Sequence, residues 1–190
     1  MIDYEQLLKK YCADNSELLS ILLTHSRQVA DRALAILDAH PEWVAAGEVD
    51  PVFVEEAAML HDIGVVMCDA PKIHCFGTHA YIEHGYLGAE ILRTEGLPKH
   101  AEVAERHTGT GITMEQILRE NLPIPLKDYS PRTLEERLIC YADKFYSKTK
   151  LGQDKPMSKI RLHLWKYGSD TVNRFDEMQA LFEPKSTFNS

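Results

Sequence analysis

Ala57-Ala58-Met59-Leu60-His61-Asp62-Ile63-Gly64 decides how the rest of the chain is read. An apolar run ends in an imidazole and a carboxylate side by side, with a glycine two places later. Ala57, Ala58 and Leu60 read as core. A carboxylate placed straight after them needs a partner, because an unpaired buried charge costs several kcal/mol and protonates instead. A divalent cation is one such partner. The alternative is a helix that surfaces here, with Asp62 in solvent.

The helix that carries this stretch starts at Asp50-Pro51, an Asp cap with proline in the first turn. Val54, Ala58 and His61 fall on one side of it, so His61 faces inward. Asp62 lies about 100° further round an ideal helix. Both can aim at one ion if the last turn loosens, which Gly64 permits.

The preceding helix begins near Ser16, read as its cap, and runs out at His40-Pro41. Leu18, Leu22, Val29, Ala33 and Ile36 mark its buried face at steps of three and four. His25 sits on that face and needs a hydrogen bond or a metal. A short helix over 4–12 comes before it. Residues 64–78 have no period and read as a loop. His74, Cys75 and His79 cluster around Gly77, in a spacing that matches no standard zinc pattern.

Residues 79–95 return to a helix, with His84 on its packed side. Ala101 to Arg106 leads to His107 and a glycine-rich turn, and Thr113 caps a short helix through Arg119. Ser130-Pro131 is expected to start the next helix, which has the core stripe Leu134, Leu138, Ile139, Ala142 and Phe145. Asp143 borders that stripe. Lys144, Lys148 and Lys150 follow it near the helix end, where cations are favoured, and read as solvated. A long last helix is expected over 159–182. No repeat or strand pattern occurs, so the chain reads as all-α.

The chain has 190 residues, 44% hydrophobic and 26% charged, an ordinary globular composition consistent with one domain. A net charge of −8 argues against a broad nucleic-acid surface. No apolar run approaches the roughly 20 residues of a membrane span. The start lacks a signal-peptide pattern, and four dispersed cysteines read as reduced thiols of a cytoplasmic protein.

His25, His61, His84, His107 and Asp143, with Asp62, are too many inward polar residues to satisfy separately; one shared metal partner explains all six. Mixed imidazole and carboxylate ligands suit Fe, Mn, Zn, Ni or Co better than Mg.

The order His25, His61-Asp62, Asp143, with His-Asp-Ile-Gly at 61–64, resembles the HD superfamily of metal-dependent phosphohydrolases. The resemblance covers about residues 20–150, with a helical extension over about 156–183. It implies an all-helical HD-domain bundle. The segments starting at His84 and His107 resemble the two extra histidines of a two-metal branch that includes HD-GYP-like domains. Val65, Arg106-His107 and Gly111-Ile112-Thr113 depart from the HD-GYP pattern, which argues against a cyclic-dinucleotide phosphodiesterase.

The resemblance implies hydrolysis of a small phosphate ester, nucleotides among the candidates, at one or two ions, with Asp62 holding the reactive water. Lys144 is the first choice to meet phosphate charge, with Lys72, Lys148 and Arg106 as further candidates. His79 is a candidate substrate contact, and His79 and Glu83 are candidate proton donors. The same ligands serve di-iron HD-type oxygenases, and a non-catalytic metal-binding regulatory module is the third reading. The sequence leaves the oligomeric state open.

Overall fold

Capping side chains and prolines set where the helices of the chain begin. A computed structural model describes residues 2–183. Among them run ten α-helices: α1 (Tyr4–Cys12), α2 (Ser16–Asp38), α3 (Pro41–Ala45), α4 (Pro51–Leu60), α5 (His84–Thr94), α6 (Pro98–Arg106), α7 (Met114–Glu120), α8 (Leu134–Asp143), α9 (Met157–Trp165) and α10 (Ser169–Phe182). The Asp50 carboxylate accepts from Val52 N at 2.9 Å and starts α4 as its sequence implies. Thr113 does the same for α7 through Gln116 N.

Three expected boundaries move. Asn15, not Ser16, caps α2, accepting from Leu18 N at 3.0 Å. α8 starts three residues after Pro131, because Thr133 and Glu136 form a better start: Glu136 N donates to Thr133 Oγ1, and Glu136 Oε2 accepts from Arg132 N. The expected long last helix is two helices, broken at Gly168, whose φ of 109° no other residue type readily adopts.

Residues 61–83 also carry structure that the sequence does not announce. Ile63–Met67 and Tyr81–Glu83 are 3₁₀ turns. Between them β1 (Asp69–Ala70) pairs antiparallel with β2 (Cys75–Phe76), a two-residue exception to an otherwise helical chain.

The main core joins α2, α4, α8 and the two last helices. Val29, Ala33, Ala58, Ile139, Tyr141 and Phe175 are among its buried residues. A second cluster packs α1, α2, the end of α4, α5 and α6 through Leu8, Leu22, Leu60, Leu92 and Ala101. α2 and α4 therefore lie between two apolar masses. Polar groups at the seam between these masses are cut off from water. No helix among the described residues is long and apolar enough to cross a membrane.

Candidate metal centre

The candidate ligands come from five places and meet in that seam. His25 is in the middle of α2, and Asp143 is the last residue of α8. His61 closes α4, and Asp62 opens the 3₁₀ turn that follows. His84 starts α5 and His107 ends α6. The last turn of α4 does loosen at Asp62, but not through the flexibility of Gly64, which has no positive φ. Gly64 acts by lacking a side chain. A Cβ there would lie 2.1 Å from His84 O and 2.3 Å from Gly88 N. The glycine lets the turn bearing Asp62 lie directly on the start of α5 bearing His84.

Two ligand sets share one carboxylate. His25, His61, Asp62 and Asp143 form the first, and Asp62, His84 and His107 the second. Asp62 Oδ2 lies 3.1 Å from His25 Nε2 and 3.0 Å from His61 Nε2. Asp62 Oδ1 lies 3.5 Å from His84 Nε2 and 3.3 Å from His107 Nε2. Asp143 Oδ1 completes the first set, 3.0 Å from His25 Nε2. Ligands about 2.1 Å from one ion at right angles are themselves about 3 Å apart.

Hydrogen bonds on the far side of the rings aim them. His61 Nδ1 lies 2.6 Å from Ala58 O, His84 Nδ1 2.6 Å from Tyr81 O and His107 Nδ1 2.7 Å from Ala104 O. A carbonyl only accepts, so each Nδ1 donates and each Nε2 turns a lone pair inward. His25 Nε2, His61 Nε2 and both Asp62 oxygens are buried without a hydrogen bond of acceptable angle. His84 Nε2 and His107 Nε2 face one another at 3.0 Å. Burial, then the neighbouring His107, pushes His84 down to about 3, so a shared proton is a poor bridge. A metal cation fits this donor set.

Burial opposes charge on His61, yet Asp62 and Asp143 raise it to about 9. Burial opposes charge on Asp62 too, but His61 and Lys148 hold its carboxyl well below the usual range. Asp143 is held low against burial by Lys144. Lys144 Nζ is 2.7 Å from Asp143 Oδ2 and also donates to His107 O, while Lys148 Nζ is 2.6 Å from Asp62 Oδ2. Both lysines point inward, although the helix-end position alone would allow a solvated role; Lys150 is exposed.

A cavity of about 890 Å³ opens above His25, His84, His107 and Asp143, with Lys72, Lys144 and Lys148 in its wall. The other candidates lie elsewhere. Arg106 is buried against Glu136, at 2.8 Å, and Glu102, so its charge is engaged away from the cavity. His79 and Glu83 bond each other at 3.2 Å and are absent from the cavity wall. Among the described residues no metal-ligand group includes His74, Cys75 or His79. Cys75 Sγ instead meets Val65 O, and all four cysteines are free and buried. Sequence reasoning missed Tyr81, whose ring stacks on His84 with centroids 4.8 Å apart, and the cavity wall from α9. The position of Tyr81, three before a ligand histidine, repeats that of Ala58 and Ala104.

Several known proteins resemble this chain. An uncharacterized protein of Methanocaldococcus jannaschii is 39% identical over 145 residues, which cover 76% of this chain and 73% of that one. A tRNA (cytidine(56)-2'-O)-methyltransferase of Picrophilus torridus is 31% identical over 154 residues, covering 76% of this chain and 39% of that protein. Its counterpart in Thermoplasma volcanium is 30% identical over 145 residues, covering 76% of this chain and 36% of that protein. The chain therefore spans well under half the length of the two methyltransferases. No solved structure matches it. The HD domain family model matches residues 22–147, the segment that carries all six candidate ligands. The chain belongs to the HD domain family.

Proposed function

We propose that the protein is a metal-dependent phosphohydrolase that cleaves a phosphate ester with water. The observation that carries this reading is one carboxylate, Asp62, shared by two ligand sets beneath a cavity whose wall holds four lysines, Lys72, Lys144, Lys148 and Lys155. A divalent transition ion (Fe, Mn, Zn, Ni or Co) held by these residues supplies Lewis acidity and a bound water whose pKa falls towards about 7. His25, His61 and Asp143 hold the first site, and His84 and His107 the second. Asp62, common to both sets, would hold ions in either site and lies where it can accept a proton from a water between them.

The water oxygen forms a new P–O bond, the ester P–O bond breaks, and the alcohol leaves with a proton. Lys144 and Lys148 stand where charge develops on the phosphoryl oxygens, with Lys72 nearer the rim. The substrate is a small phosphorylated molecule. Methyl transfer is not carried over, because the shared segment is a minor part of the methyltransferases. Four unpaired, buried cysteines support a reducing, cytoplasmic setting.

The test is phosphate release from a panel of esters by protein stripped and reloaded with each metal, beside His61→Ala and Asp62→Ala. Loss of at least about a thousandfold in both variants is expected. Equal turnover by the variants overturns the reading. Oxygen uptake by the iron form without phosphate release would replace it with the oxygenase chemistry that the same ligands serve.

A further inference from the structure

The cavity is far larger than a phosphate, and its outer part has a different chemistry from its floor. All six ligands are nearly or fully buried, with Asp143 the most exposed at 13% of its side chain. A phosphoryl group with one substituent can meet them with its free oxygens on the floor and its organic group in the cavity above. Above the floor two walls face each other. Ile112, Gln116 and Leu122 come from α7 and its flanks, and Ile160, Leu164 and Tyr167 from α9 and the turn after it; the same two helices also bring Glu120 and His163 to the lining, so the walls are mainly but not wholly apolar.

Ile160 and Leu164 also belong to the main core, so α9 is a fixed wall rather than a loose flap. Arg119 Nη2 donates to Tyr167 O at 3.4 Å and ties the two walls together. α9 lies beyond residues 22–147, the segment matched by the family model. The gap between the walls is thus set by a part of this chain that the family match does not include.

We propose that this chain selects phosphate monoesters whose organic group is bulky and mainly apolar, held between α7 and α9, with Tyr167 and Ile112 as specificity-determining residues. The assignment rests on the phosphohydrolase reading. Its physical basis is that each apolar surface withdrawn from water between the walls adds affinity that a small polar alcohol cannot gain. The Gln116 amide, buried and on the same wall, offers that group one donor and one acceptor.

The test compares ethyl phosphate with 2-(2-naphthyl)ethyl phosphate on metal-loaded protein. Both are primary alkyl esters, so their leaving groups are about equally basic. The bulky ester is expected to have a kcat/KM at least about tenfold higher. Tyr167→Ala is expected to reduce that ratio at least about threefold. Equal kcat/KM values, or a ratio unmoved by Tyr167→Ala, overturn the assignment.

Calorimetry with propylphosphonate and 3-(2-naphthyl)propylphosphonate, whose P–C bonds resist hydrolysis, separates the two claims. Tighter binding of the naphthyl compound, weakened by Tyr167→Ala, supports the pocket even where neither ester is cleaved; in that case only the hydrolase reading falls. Equal affinity for the two phosphonates rejects the pocket.

Discussion

At the scale of single residues, the centre depends on which ring nitrogen is left bare. Three histidines spend Nδ1 on a carbonyl three residues upstream, which leaves Nε2 as the atom free to bind a metal. The two ligand sets differ in what they lose on truncation. His84→Ala removes a ligand of the second set only, so bound metal measured by elemental analysis is expected to fall by about one ion per chain. His25→Ala strips the first set and is expected to abolish turnover as well. A full metal complement in His84→Ala would show that the second set is not a site.

The convergence of the six candidate ligands was legible in the sequence, because imidazoles and carboxylates on apolar faces have few satisfied alternatives. The inward turn of Lys148 was not. It follows α8 by five residues, and only the path of the chain after that helix brings its ammonium back to Asp62. Arg106 misled for the opposite reason. It stands next to a ligand in sequence, but a helix sends adjacent side chains in different directions, and its guanidinium finds Glu136.

Between elements, the contact that matters most is the one between the 3₁₀ turn Ile63–Met67 and α5. It has no side chain at its centre, only Gly64 against Gly88 and the His84 carbonyl. Gly64→Ala puts a methyl group into backbone that cannot give way. The variant is expected to lose about 3 kcal/mol or more in urea unfolding of the metal-free protein, at the upper end of overpacking costs. A loss under about 0.5 kcal/mol would mean that the turn and α5 separate freely.

The Asp50-Pro51 start of α4 and the Thr113 cap of α7 were readable, but at α8 Ser130-Pro131 stood in for the Thr133-x-x-Glu136 start that the helix uses. The break of the last helix was hidden. A lone glycine in a helical pattern is tolerated elsewhere, and only packing of α10 against α8 forces the turn at Gly168.

For the whole molecule, apolar clusters are not the only bond between parts. Glu105 is buried, with Arg93 Nη2 at 3.0 Å and Lys127 Nζ at 2.5 Å. Burial opposes its charge, but Arg93 and Lys127 hold its carboxyl below the usual range. A depressed folded value favours the native state above the unfolded value of 4.5, and that benefit is lost as pH falls through the folded one. Melting temperature followed from pH 7 to about pH 3 is expected to drop less steeply in Glu105→Gln than in the parent, from a lower start. Parallel curves would show that the cluster carries no linkage.

The six ligands also have a mechanical consequence. They sit on stretches of chain from residue 25 to residue 143, far apart along the backbone and a few ångströms apart in space. An ion gripped by them acts as a rivet through α2, α5, α6, α8 and the end of α4. The denatured chain, with those stretches dispersed, cannot grip it. Mass action then adds about 2.7 kcal/mol when free metal is a hundred times its dissociation constant. A chelator should lower the melting point by several degrees, and the proposed metal centre would double as the clasp that keeps its own scaffold shut.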